Sequence, residues 1–135
     1  MPSERREVHD PEMREPKGVF VHALQVPATG RTVYISGLTA QDRDGSIVGP
    51  GDMARQAEVV FDQMARLLAA AGGTFEDVVK LTVYTRDMSR WDEVTAERRR
   101  RFTSSRPTAT MVEVSRFVHP EALLEVEAVA QLAGD

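Results

Sequence analysis

Met53, Ala57, Val60, Met64, Leu67, Leu68 and Ala71 recur at spacings of three and four. That period commits one stretch of the chain to a helix with a buried apolar face. Asp52 is placed to cap its start, and Gly72-Gly73 supplies the left-handed residue that such helices commonly need at their end. Thr74-x-x-Asp77 has the form of a capping box for one short turn. The period then changes: Val79, Leu81 and Val83 alternate with Lys80, Thr82 and Tyr84, which predicts a strand with one apolar face through Thr85. A helix that must bury one face, followed at once by a half-apolar strand, calls for a layer of helix on sheet.

The remaining elements fit that layer. Val19 to Val26 and Thr32 to Leu38 are rich in β-branched and aromatic residues, and Pro27-Ala-Thr-Gly30 between them predicts a hairpin. Asp42-Arg-Asp44-Gly45 marks a second turn, with Ser46 to Val48 as a short returning strand. Ser89 is the expected cap of a second helix, in which Trp91, Val94, the Arg98 stem and Phe102 share a face and Glu97 pairs with Arg101. Thr108 to Val114 and Leu123 to Ala130 are the last two strands, joined through His119-Pro120. The predicted order is β-β-β-α-β-α-β-β, a single α+β domain with both helices on one face of one mixed sheet. Val33, Ile35, Val79, Val83, Val112, Val126 and Val129 exceed what one helix-facing surface needs. Another subunit is therefore expected over the second face. Residues 1–17, with Pro2, Pro11 and Pro16 and no period, read as a mobile or extended arm.

Composition narrows the function classes. The 135 residues contain no cysteine, which removes disulfides, zinc-thiolate clusters and a cysteine nucleophile. The N-terminal segment has no apolar run and no stretch approaches a membrane span, so a cytoplasmic protein without a membrane partner is expected. Seventeen basic against 21 acidic residues argue against a phosphate-binding surface, and nucleic acid is not an expected partner. The only basic run, Arg98 to Arg101, spreads around a helix beside Asp92, Glu93 and Glu97, which predicts a solvated, ion-paired helix.

Single residues point weakly to chemistry. His22 shares a strand face with Phe20 and Leu24 and reads as a packed core residue. His9 falls in the arm and His119 in a loop, so no metal site is expected. Ser36-Gly37 lacks the G-x-S-x-G elbow and an identifiable base, which argues against a serine nucleophile.

Five segments in order carry a resemblance. They are Gly18-Val-Phe-Val-His22-Ala, Ile35-Ser36-Gly37-Leu, Phe75-Glu-Asp-Val-Val-Lys80-Leu-Thr-Val with Asp87-Met, Arg106-Pro-Thr-Ala-Thr-Met-Val-Glu113-Val, and Leu124-Glu125-Val-Glu127-Ala-Val-Ala. Over residues 18–131 the chain resembles the Rid (YjgF) family. The resemblance implies a chorismate-mutase-like fold over residues 18–132 and a homotrimer with clefts at the subunit boundaries. It also implies cofactor-free hydrolysis of imines or enamines, the substrate carboxylate held by an arginine and water positioned by a glutamate.

Glu125 matches the family's glutamate and is the catalytic candidate; Glu127, two residues along the same face, reads equally well as an ion-pair partner. The resemblance makes Phe20, Ser36, Gly37, Thr95, Ala109 and Met111 cleft-lining. Ala109 stands where the family's carboxylate-binding arginine belongs, Met111 where a cysteine is frequent, Phe20 for a tyrosine and Thr95 for an asparagine. Alanine cannot imitate a bidentate grip, so binding of small imino acids is expected to suffer unless Arg106 or Arg116 reaches the cleft. Two functions follow for a small metabolite: hydrolysis in a less carboxylate-dependent cleft, or non-enzymatic binding in the same trimer. A protein-interaction role ranks third.

Overall fold

The structure, a computed structural model, describes residues 5–134. Its strands are β1 (Arg6–Val8), β2 (Ala23–Gln25), β3 (Arg31–Leu38), β4 (Val78–Thr85), β5 (Thr108–Glu113) and β6 (Leu124–Leu132); its helices are α1 (Met53–Ala71) and α2 (Trp91–Arg101). Four strands make one mixed sheet in the order β3-β6-β4-β5, with β4 and β5 parallel and β6 antiparallel to both its neighbours. The two helices pack together on one face, α1 against β3 and β6.

The local signals for α1 act as the residues suggest. The Asp52 carboxylate accepts from the Arg55 amide at 3.0 Å, and Gly72 closes the helix at φ 91°. Thr74 and Asp77 form the capping box of a short 3-10 turn leading into β4. The apolar stripe is slightly narrower than its spacing implies, because Leu67 is 46% exposed while Met53, Ala57, Val60, Phe61, Met64 and Leu68 are sealed. Beneath α2, Phe61, Phe75 and Phe102 form an aromatic cluster in which Phe75 and Phe102 meet edge to face at 5.2 Å.

Three local expectations need correction. The hairpin between Val19–Val26 and Thr32–Leu38 does not form. Val21 bridges Thr108 along the outer edge of β5, whereas β3 occupies the opposite edge of the sheet, so the two segments cannot be neighbours. The end of the first run instead forms β2 and pairs with β1, which lies inside the segment read as an arm. Arg5, next to β1, donates to the carbonyls of Glu76 and Arg106, which fastens that segment to the end of the sheet. Residues 1–4 of the arm lie outside the described residues. Ser46 to Val48 yields only one bridge, Gln41 to Ile47, because the turn is tied internally by Asp42 rather than extended along a neighbour. Before α2, Asp87 is the capping residue: its carboxylate accepts from Ser89 and nucleates a 3-10 turn over Met88–Arg90.

The apolar surplus also resolves differently. Ile35, Val83 and Val126 are buried beneath the helices and Val33 packs against the same core. On the opposite face Val112 and Val129 stand among Tyr34, Thr82, Tyr84, Glu125 and Glu127, as the strand register requires. That face is mixed in polarity, with Tyr34 80% exposed, so apolar area alone does not demand a partner over it.

Phe61 is fully buried at the junction of α1 and the aromatic cluster. Phe61→Ala is expected to lower unfolding free energy by about 3–5 kcal/mol, read from the urea midpoint at fixed protein concentration; a loss below about 1 kcal/mol would mean the cluster repacks freely.

Candidate functional site

Glu125 sits near the start of the central strand β6, opposite Tyr84 of β4. Odd-numbered residues from Glu125 to Gln131 point away from the helices, because Leu124, Val126, Ala128 and Ala130 fill the core. The register between β3 and β6 slips between Ile35 and Leu38, and this bulge sets Ser36-Gly37 beside Glu125. A Cβ on Gly37 would overlap the Glu125 carboxylate and lie 2.8 Å from its carboxylate carbon. Glycine here makes room for a carboxylate, so the structure brings together Glu125, Ser36 and Gly37.

Glu127, two residues on, is engaged: the Tyr84 hydroxyl donates to its Oε1. That hydrogen bond, aided by slight desolvation and the charge of Glu127, raises the Tyr84 pKa and keeps the phenol protonated as a donor. The two carboxylates share a face but differ in their partners.

The other sequence-predicted residues fall on the opposite side. Ala109 and Met111 project from β5 toward the helices, packed against the core, and Thr95 is buried on α2. Within one subunit the sheet itself separates them from Glu125. Phe20 lies beyond the β5 edge with its ring 6.1 Å from that of His22, lining a hollow of about 300 Å³ with Arg14, Glu15, Pro16 and Lys17. Larger hollows lie beside Arg5, Arg6 and Gln25 and between His9, Asp10 and His22; neither is lined by Glu125, Thr95, Ala109 or Met111.

His22 is exposed rather than packed in the core, because the segment holding it runs along the sheet edge and buries only Val19 and Val21. His119 contacts the Gln41 amide, and among the described residues no cluster of three or more acidic or histidine side chains is placed to hold a metal. Arg106 donates to the Gly18 carbonyl at 3.3 Å and lies 3.8 Å from Glu7, while Arg116 is exposed in the β5–β6 connection.

The basic run of α2 is not uniformly solvated. Arg100 and Arg101 both pair with Glu97, and Arg101 also reaches Asp62 of α1. Burial alone would raise the Glu97 pKa, but hydrogen bonds from Arg100 and Arg101 outweigh it and hold the carboxyl below its ordinary value. Arg98 is 5% exposed, and its Nε and Nη2 are buried without a partner. Desolvation, with a smaller contribution from Arg99, pushes its pKa down to about 10. The Arg98 stem lies on the packed face as its spacing predicts, and what is corrected is the reading of the whole run as solvated and ion-paired, since the Arg98 guanidinium too is enclosed. Its spacing of four from both Val94 and Phe102 is the signal that places it inward.

Residues 12–132 match the family described as endoribonuclease L-PSP. The chain belongs to the Rid (YjgF) family. A Rid protein of Yersinia pestis, YyfB, superposes with a TM-score of 0.84 at 30% identity, covering 95% of this chain and 98% of that one. A Mycobacterium tuberculosis member of the YjgF/YER057c/UK114 family gives 0.68 at 32% identity over 84% and 86% of the two chains. The 3-aminoacrylate deaminase RutC of Acinetobacter baylyi is 32% identical over 112 residues, 82% of this chain and 88% of its own. The two helices on a mixed sheet are thus the Rid architecture.

If Gly37 exists to admit Glu125, Gly37→Ala will lower the melting temperature, and far less so in a Glu125→Ala background. A double-mutant cycle by chemical denaturation should return a coupling of about 0.5–3 kcal/mol; additive losses would separate the two residues energetically.

Proposed function

We propose that this Rid protein is a hydrolytic deaminase of a small imine or enamine, with Glu125 as the group that handles water. The observation that carries the reading is the Glu125 carboxylate set against the bare backbone of Gly37 on the open face of the sheet. It is the carboxylate at the position of the family's glutamate, and it differs from Glu127 in not being claimed by Tyr84. RutC is by name a deaminase of 3-aminoacrylate, an enamine, which supports the same reaction class here.

In this reading the substrate is in its imine form when water attacks. As the water oxygen bonds to the imine carbon, Glu125 accepts the water proton. The C=N bond becomes a single bond and its nitrogen takes that proton back from Glu125, giving a neutral carbinolamine. Glu125 then takes the proton of the carbinolamine hydroxyl and passes it to the nitrogen as the C–N bond breaks, which releases ammonia and leaves the carbonyl product. The balance is one water consumed and one ammonia formed, with no redox partner.

The complete site is proposed to lie between copies. Glu125, Ser36 and Gly37 lie on one face of the sheet, while Thr95, Ala109 and Met111 lie on the helix side. One subunit cannot close a cleft from both groups, but two neighbours of a ring can, each supplying one half. A homotrimer of the 15.0 kDa chain, the family's arrangement, satisfies this. A small metabolite is the proposed ligand.

Glu125→Gln should reduce ammonia release from a freshly generated imine at least ~100-fold with the oligomer and melting temperature intact, whereas Glu127→Gln changes it only a few-fold. Full turnover in Glu125→Gln would defeat the assignment. Sedimentation at micromolar concentration should give the trimer mass, and a stable monomer would remove the shared cleft. Saturable metabolite binding without turnover across a broad imine and enamine screen would establish the non-enzymatic alternative instead.

A further inference from the structure

α1 has a second organised face beside the stripe that it buries. Arg55, Val59, Asp62, Gln63 and Arg66 follow one another along it at helical spacing and form one wall of a hollow of about 460 Å³. The opposite wall is the turn after β3, with Gln41, Asp42, Arg43 and Val48. That turn is fixed in place. Asp42 Oδ1 accepts from the amides of Asp44 and Ser46, the Val48 amide donates to the Ala40 carbonyl at 2.7 Å, and the Gln63 side chain donates to the Gln41 carbonyl at 3.0 Å, which ties the turn to the helix. The hollow is therefore preformed.

Its charged groups divide into those with partners and those without. Asp62 is paired with Arg101 at 2.6 Å, Arg55 is paired with Glu58, and the Asp42 carboxylate is occupied by the two turn amides. Asp44, on the same turn, does not line the hollow. Arg43 and Arg66 form no ion pair among the described residues. In a chain of net charge -4, two uncompensated guanidiniums thus approach one hollow from opposite walls. Val48 and Val59, both half-buried, supply the apolar surface between them. An apolar lining with a few convergent polar groups is the pattern of a small-molecule site.

We propose that this hollow is a second ligand site, separate from Glu125, and that it takes a small phosphate monoester. Two guanidiniums on facing walls suit a dianion, which each can meet with charge-assisted hydrogen bonds. A phosphate monoester is dianionic at neutral pH, since its second pKa is about 6. Its organic group then rests on Val48 and Val59 while the phosphate lies between Arg43 and Arg66. α1 is on the helix side of the sheet and Glu125 on the other, so the two sites share no residue and this one does not depend on the deaminase reading.

Calorimetric titration of the intact protein with phenyl phosphate, inorganic phosphate and phenol tests this. Phenyl phosphate is expected to saturate one site per chain and to bind at least about tenfold more tightly than either fragment. The double variant Arg43→Gln/Arg66→Gln should lose at least about tenfold in affinity. Its melting temperature should be unchanged, because both side chains are exposed. Arg55→Gln should lose less, since Glu58 already holds that guanidinium. Val48→Ser should weaken phenyl phosphate and leave inorganic phosphate as it was. Glu125→Gln should bind phenyl phosphate as the unaltered protein does. Absence of saturation up to about 10 mM, undiminished binding in the double variant, or loss of binding in Glu125→Gln would each overturn the proposal. Equal affinity for phenyl phosphate and inorganic phosphate would do so too, by reducing the hollow to a place for an adventitious ion only.

Discussion

The pairing of β6 with β3 on one side and β4 on the other is the interaction on which the rest depends. With β4, β6 is one of the two interior strands paired along both edges, and its even-numbered residues from Leu124 to Leu132 are the floor on which α1 rests. The same nine residues present Glu125 and Glu127 on the reverse. Strand parity thus links stability and chemistry: shifting β6 by one residue would carry the carboxylates into the core and expose the aliphatic row.

The two sides of the sheet divide the labour. The helix side is apolar, closed and capped at its ends by local signals, with Asp52, Gly72 and Thr74 each satisfying backbone groups that a helix or turn leaves open. The open side is mixed, with a tyrosine-carboxylate pair and a glycine bulge. A surface of that kind suits contact with another polar, shaped surface better than burial of grease.

Much of this was legible beforehand, and where it failed the reason is specific. α1, β4 and β6 announce themselves because each has a clean period of its own. The supposed first hairpin failed because its two runs are genuine β-formers separated by a good turn, yet pairing is decided by sheet order, and Val21 belongs at the β5 edge. Asp87 took the capping role from Ser89 because a 3-10 turn precedes α2. At the site, the residues grouped by resemblance divide: Ser36-Gly37 is set beside Glu125, but that Thr95, Ala109 and Met111 lie on the other face was not visible until the strands had a register. Arg98 stands apart from the other three arginines by its spacing of four from Val94 and Phe102; that its guanidinium is enclosed as well is visible only in the structure.

The slip in register between Ile35 and Leu38 also bears on how the protein is made. β3 finds its only long partner in β6, roughly a hundred residues further along the chain, so the bulge at Ser36-Gly37 cannot be templated by anything nearby. α1 and the β4-α2-β5 unit can assemble from local contacts while β3 still waits, and closing the sheet is a late, non-local event of the kind that slows folding. The groove beside Glu125 therefore comes into being only with that closure. A nascent or partly folded chain carries the Glu125 side chain without its setting, so the surroundings of that carboxylate and completion of the fold arrive together.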